Sequence, residues 1–165
     1  MSRVKELNFS VNSREIAKEC ADLPFDHETD HIQIIALNLN DDYFHIDPEG
    51  YTGTIIKQVH KQYGTNCATI RILKPAAGFP LHTDDGKASK LPHSYHIVLE
   101  GDPQNFFLYP LDDQQQCIPV NKPNCLYQCD VLTPHSFVNL SKRPRSHLTF
   151  FKNPDEGIYK FSYLK

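Results

Sequence analysis

The residues of this chain whose types and spacing suit joint chemistry begin with His82 and Asp84, within the stretch Pro75 to Asp85 that reads Pro-Ala-Ala-Gly-Phe-Pro-Leu-His-Thr-Asp-Asp. Side chains at i and i+2 of an extended segment point to one face, so an imidazole nitrogen and a carboxylate oxygen can reach a single point. That is two-thirds of a metal site. The candidate third ligand is His135, in Asp130-Val-Leu-Thr-Pro-His-Ser-Phe-Val-Asn139. Two histidines and a carboxylate on one face of an ion, with the other positions open, suit non-haem Fe(II). Ten residues beyond His135 comes Arg145. A guanidinium there can hold a carboxylate bidentately, which an ammonium does less well.

Elements must bring these residues together, and the chain supplies signals for them. Val4 to Val11 mixes apolar and polar residues in the manner of a strand. Asn12-Ser13 offers cap chemistry and Glu15 suits the first turn of a short helix from Ser13 to Ala21. Asp26, His27, Glu28, Asp30 and His31 read as a solvated acidic loop, without the oxygen-ligand spacing of a calcium loop. Ile32 to Leu39 predicts a strand. From Tyr51 to Gly64 the period changes: Ile55, Ile56, Val59 and Tyr63 recur at helical spacing, Thr54 can cap the start, and Gly64 can end the helix in the left-handed conformation. His60 sits at the boundary of that stripe.

After Gly64 the signals are for short strands at Cys67–Leu73, Ser94–Leu99, Phe106–Tyr109, Cys125–Gln128, Ser136–Asn139, His147–Phe151 and Tyr159–Tyr163. Proline, glycine, Asx and lysine residues punctuate them as in an all-β sandwich or barrel, with about seven or eight strands and two or three N-terminal helices expected. The turns at Pro75 to Pro80 and Thr133-Pro134 put both histidine segments at the barrel mouth, where ligands bind.

Composition bounds the function. At 165 residues the chain suits one domain, with residues 1–66 as a support region and 67–165 as the β core. Seventeen basic residues against 20 acidic give a formal charge of −3, which removes the usual argument for a nucleic-acid partner. No apolar run approaches a membrane span and the opening Met-Ser-Arg-Val-Lys-Glu has no signal core, so a soluble, cytoplasmic chain is expected. Five cysteines, Cys20, Cys67, Cys117, Cys125 and Cys129, lack CxxC pairing and read as reduced core or near-core thiols. Oligomeric state is not legible.

At Pro-Leu-His82-Thr-Asp84, Ser94-Tyr-His96-Ile-Val-Leu99 and Pro-His135-Ser-Phe-Val-Asn139 followed by Arg145, the chain resembles the 2-oxoglutarate and Fe(II)-dependent oxygenases. It is most similar to the branch of the aspartyl/asparaginyl β-hydroxylases and related bacterial proline hydroxylases. The resemblance runs from Ala68 to Phe151, about half of the chain. It implies a double-stranded β-helix, the jelly-roll, cupin-like kind of barrel. It also implies Fe(II) held by His82, Asp84 and His135, 2-oxoglutarate as cosubstrate with Arg145 on its far carboxylate and His96 near its metal-bound end, and O2 as oxidant. The implied reaction is hydroxylation of an unactivated C–H bond, with an amino acid, peptide or protein as substrate. Relatives often carry an arginine two residues before the His96 position, where this chain has Ser94.

The residues alone admit other readings. Asp84 can cap a turn with Asp85, and His82 can be a satisfied barrel histidine. His147, alternating with Arg145 on one strand face, reads as structural or as lining the pocket, Cys129 and Asp130 as part of a strand and its turn, and Arg71 as an exposed strand arginine or as the charge missing at Ser94. Lys87, Lys90, Lys142 and Arg143 are either a rim that favours acidic substrates or ordinary solvated surface. A cupin-type metalloenzyme that does not use 2-oxoglutarate would keep the three ligands without needing Arg145, and a non-catalytic binding barrel would need none of them.

Overall fold

A computed structural model describes residues 3–37, 45–84, 91–111 and 114–152. Among these residues are ten strands and two helices: β1 Val4–Leu7, α1 Ser13–Glu19, β2 His27–Glu28, β3 Ile32–Ala36, α2 Tyr51–Tyr63, β4 Cys67–Leu73, β5 His93–Glu100, β6 Asn105–Leu111, β7 Gln114–Pro119, β8 Leu126–Asp130, β9 Ser136–Asn139 and β10 Arg145–Phe151. A seven-stranded sheet has the order β1-β8-β5-β10-β4-β3-β2, and a three-stranded sheet has the order β7-β6-β9. All the strand pairs within the two sheets are antiparallel.

Side-chain alternation divides the large sheet into two faces. On β10, Leu148 and Phe150 join Ala68 and Ile70 of β4 and Tyr95 and Ile97 of β5 in a core beneath the helices, with Ile16 of α1 and Ile55, Ile56 and Val59 of α2. The opposite face, with Leu73, Val98, Tyr127 and Cys129, packs against Phe107, Tyr109 and Phe137 of the small sheet. Arg145, His147 and Thr149, out of phase with Leu148 and Phe150 on β10, are all buried. The helices therefore stiffen the sheet from outside, and the second face is left to build a site.

The helix ends have identifiable causes. Asn12 caps α1 by accepting from the Glu15 N–H at 3.2 Å. Thr54 does not cap α2, as the sequence suggested; Gly50 holds that position without a side-chain bond, and the Thr54 hydroxyl donates back to the Gly50 carbonyl at 2.8 Å. The orphan N–H groups of Tyr51 and Thr52 instead donate to the Glu19 carboxylate at 3.1 and 2.9 Å, so the end of α1 caps the start of α2. Gly64 ends α2 at φ 74°, in the left-handed region.

Several expectations need correcting. β1 stops at Leu7, α1 at Glu19 and β3 at Ala36. The acidic segment after Asp26 is not all loop: His27 and Glu28 pair with Ile34 and Gln33, and Asp26 accepts from the Ala36 N–H at 2.8 Å. β7 was not foreseen, because Gln114-Gln-Gln has no strand signature and gains one only by pairing with β6. Cys117 is exposed rather than near the core, while the other four cysteines are buried and all five are free. The strand expected at Tyr159–Tyr163 lies outside the described residues. No helix among the described residues is long and apolar enough to cross a membrane.

Ile56 is fully buried at the helix–sheet contact. Ile56→Ala is expected to lower unfolding free energy by about 2–5 kcal/mol, measured by chemical denaturation.

Candidate metal centre and its cavity

His82 and His135 face each other in an antiparallel bridge between the segment after β4 and the one leading into β9. Each donates its backbone N–H to the other's carbonyl at 2.9 Å, and the ring centroids lie 4.4 Å apart. Beyond the bridge, the Asp84 N–H donates to the Val131 carbonyl at 2.8 Å. Asp84 is thereby held on the His82 side of the pairing. Ligand atoms of His82, Asp84 and His135 lie within 4.8 Å of one another, the one such group of metal-binding side chains among the described residues.

Ring orientation prepares both imidazoles. His82 Nδ1 lies 2.6 Å from the Pro80 carbonyl, and His135 Nδ1 lies 2.8 Å from the Thr133 carbonyl. A carbonyl only accepts, so both Nδ1 atoms carry the proton and both Nε2 atoms keep a lone pair. His82 Nε2 is 3.6 Å from Asp84 Oδ1. Burial pushes the His135 pKa down, favouring the neutral form that ligates. Backbone carbonyls on the outer nitrogens of two histidines, beside one carboxylate, form a donor set that fits a divalent transition ion.

The turn that delivers His135 is clamped by Asp130. Its carboxylate accepts from the Leu132 and Thr133 N–H groups at 3.0 and 3.2 Å. It also accepts from the Thr133 hydroxyl at 2.6 Å and from Arg3 Nη1 at 2.7 Å. Thr133, held this way, offers its carbonyl to His135. Burial pushes the Asp130 pKa up, but the hydrogen bonds from Thr133, Arg3 and Leu132 together outweigh it and hold the group below the ordinary carboxylate value.

The centre opens onto a cavity of about 300 Å³. Its lining includes Phe79, Phe107, Phe137 and Phe151 as apolar walls, and Arg71, Ser94, His96 and Thr149 from the large sheet. Behind this wall lies a buried polar chain. Arg145, 2% exposed, has Nη2 2.9 Å from His147 Nδ1. Guanidinium only donates, so that imidazole nitrogen accepts and its proton sits on Nε2. The one lone pair of His147 Nδ1 is thereby taken by Arg145. His96 Nδ1 lies 3.3 Å from His147 Nδ1 and 3.4 Å from Thr149 Oγ1, and His96 Nε2 is hydrogen-bonded with the Ser94 hydroxyl at 2.9 Å. Burial, with the Arg145 charge as the next contribution, pushes both histidines well below their usual pKa. Burial lowers Arg145 itself to about 9, still a cation at neutral pH. Its guanidinium lies 4.9 Å from the Phe137 ring centroid and 5.7 Å from that of Phe107. No carboxylate within ion-pair distance faces it among the described residues.

The structure thus brings His82, Asp84 and His135 together at one wall and places His96 in the cavity lining, with Arg145 one step behind. His147 is wholly buried between Arg145 and His96 and does not line the cavity. Arg71 is not an exposed strand arginine: it is half-buried and lines the cavity. Lys142 and Arg143 are exposed in the turn before β10 and do not line it. Lys87 and Lys90 lie outside the described residues. Phe79, Phe107 and Phe137 were missed as site residues because an aromatic in a strand has the same sequence signature whether it walls a cavity or fills a core.

No protein-family model matches the chain, and no curated protein does. Among solved structures, an oxidoreductase of the 2OG-Fe(II) oxygenase family from Burkholderia pseudomallei matches with a TM-score of 0.64 and 14% identity, over 94% of this chain and 86% of that one. A Pseudomonas putida prolyl-4-hydroxylase matches with a TM-score of 0.54 and 17% identity, over 92% of each chain. A variant of Bacillus subtilis oxalate decarboxylase, a longer protein, matches with a TM-score of 0.51 and 13% identity, over 83% of this chain and 29% of that one. The fold is a double-stranded β-helix. At these identities the likeness carries the barrel, and the chemistry rests on the side chains.

Asp130→Asn, which weakens the bonds to Thr133 and Arg3, is expected to destabilise the protein by about 1–3 kcal/mol. The parent's Asp130 binds its proton less readily folded than unfolded. Its contribution is therefore present above the ordinary carboxylate range and lost as pH falls through and below it. Denaturation midpoints measured from neutral to acidic pH should fall less steeply in Asp130→Asn than in the parent.

Proposed function

We propose that this protein is an Fe(II)- and 2-oxoglutarate-dependent dioxygenase that hydroxylates an unactivated C–H bond of an amino acid, free or in a peptide. The observation that carries this reading is the pairing of two sites in one barrel. Two imidazole Nε2 atoms and a carboxylate converge at the wall of a cavity, and a buried guanidinium without a carboxylate partner among the described residues stands at its back. A metal with an open face and a fixed cation at a distance suit a bidentate keto acid with a second carboxylate.

His82, Asp84 and His135 would hold the iron. The chemistry that Fe(II) and 2-oxoglutarate supply when bound is activation of O2, one oxygen atom entering the C–H bond and the other leaving in succinate as CO2 is released. Arg145 would pair with the far carboxylate of 2-oxoglutarate, its orientation held by His147 and by the faces of Phe107 and Phe137. His96, with its ring nitrogens held by Ser94 and Thr149, would stand as an uncharged ring near the metal-bound end. The phenylalanine walls exclude water and strengthen every charge interaction inside. The prolyl-4-hydroxylase among the structural neighbours is compatible with an amino-acid substrate.

Anaerobic addition of Fe(II) and then 2-oxoglutarate to the apo-protein should produce the visible charge-transfer band of the chelate, and His135→Ala should abolish it. Arg145→Gln should raise the 2-oxoglutarate concentration needed for the band roughly 10- to 100-fold. Because a buried cation is removed, the melting temperature of the apo form should stay level or rise. Tight Fe(II) binding without a band would favour a cupin-type metalloenzyme, and absence of Fe(II) binding a non-catalytic barrel.

A further inference from the structure

His135 takes its ring orientation from the Thr133 carbonyl, and Thr133 is held by a residue that the metal assignment does not use. Arg3 Nη1 donates to the Thr133 hydroxyl and to Asp130 Oδ2, at 2.7 Å each. The Thr133 hydroxyl in turn donates to Asp130 Oδ2 at 2.6 Å. One guanidinium nitrogen, one hydroxyl and one carboxylate oxygen thus form a closed triangle of hydrogen bonds. The nitrogen carries two protons, so it can serve both oxygens.

The triangle leaves Thr133 little freedom. Its N–H donates to Asp130 Oδ1 at 3.2 Å, and Pro134 after it restricts its backbone to extended conformations. The direction of its carbonyl is therefore set, and that carbonyl accepts the His135 Nδ1 proton at 2.8 Å and leaves Nε2 for an ion. His82 takes its orientation from Pro80, in a different segment. Folding stability does not account for the Arg3 side chain. It is 36% exposed and the Asp130 side chain 17%, and an ion pair with that exposure contributes little. The strand pairing does not need it either. The Asp130 N–H donates to the Arg3 carbonyl at 2.8 Å, and β1 pairs with β8 from Val4 opposite Cys129 to Leu7 opposite Leu126. Removing the guanidinium leaves those backbone bonds and takes away the donor that Thr133 and Asp130 share.

We propose that Arg3 is a positioning residue for the metal centre: acting through Asp130 and Thr133, it holds the ring of His135 and so sets the affinity for the ion. The proposal rests on the metal assignment within the dioxygenase reading and not on the cosubstrate or the substrate. Its physical basis is preorganisation. A ligand already fixed in the binding orientation loses little freedom when the ion arrives, whereas a looser turn must be ordered at that moment, at the expense of affinity.

The test titrates the apo-protein with Co(II), a divalent probe with visible ligand-field bands, at a temperature where each variant is folded by circular dichroism. Arg3→Met, which keeps the apolar stem and removes the donors, should weaken Co(II) binding at least about fivefold and alter the bands. Arg3→Lys, whose single ammonium nitrogen can donate to both oxygens, should recover most of that loss. Ile56→Ala, on the helix face of the sheet, should bind Co(II) as the parent does although it is the less stable protein. If Arg3→Met does not fold, Thr133→Val takes its place with the same expectation, since it removes the shared hydroxyl and keeps the carbonyl. The proposal is overturned if the loss falls short of that, if Ile56→Ala weakens binding as much, or if Arg3→Lys binds as weakly as Arg3→Met. A parent that binds neither Co(II) nor Fe(II) overturns the metal assignment, and this proposal with it. A parent that binds metal but gives no band with Fe(II) and 2-oxoglutarate overturns the dioxygenase reading and leaves the role of Arg3 to be decided by the Co(II) titrations.

Discussion

The bridge between His82 and His135 is the constraint on which the site depends. A residue pair that exchanges both backbone hydrogen bonds has its Cα atoms about 5.5 Å apart and its side chains on one face. Backbone bonds flank the bridge on both sides in shifted register, from Asn139 N–H on the Ala77 carbonyl and Phe79 N–H on the Phe137 carbonyl to Asp84 N–H on the Val131 carbonyl. The bridge sets the separation of the two histidines, and the Pro80 and Thr133 carbonyls set their ring orientation. The stacked Phe79 and Phe137 rings, 5.0 Å apart, sit beside the neighbouring Gly78–Val138 bridge. They become a cavity wall by position alone.

The second organising fact is positive charge enclosed in the barrel. Arg145 is buried and Arg71 half-buried, and each lies over an aromatic ring. Arg145, without a carboxylate partner among the described residues, opposes folding unless an anion joins it. Burial, and after it the Arg145 charge, keeps His96 and His147 neutral. The Arg145 donor also fixes the His147 tautomer, since it requires an acceptor at Nδ1.

These polar groups are tolerated because apolar stability is supplied elsewhere. The face of the large sheet under α1 and α2 carries an almost wholly apolar core, and the capping of α2 by Glu19 of α1 ties the two helices to each other as well as to the sheet. The inner face can then hold Arg145, His147, Thr149 and His96 in successive rows. Asp130 does comparable work at the mouth, where one carboxylate joins Arg3 near the start of the chain to the turn before His135.

Local signals were legible in the sequence where they act over a few residues. β4 and β9 fall on the ranges the sequence indicates, and Gly64 ends its helix as its conformational freedom allows. The i, i+2 placing of His82 and Asp84 and the ten-residue step from His135 to Arg145 could also be read from the chain, as could the β-rich architecture. Tertiary structure alone decided the rest. β2 and β7 exist only because β3 and β6 pair with them. Arg71 turns inward because strand alternation shows which residues share a face but not which face looks into the barrel. The Arg3–Asp130 bond spans 127 residues and the His96–His147 contact 51. Such contacts depend on register and burial, which hydrophobic pattern and turn chemistry constrain only after the sheets have closed.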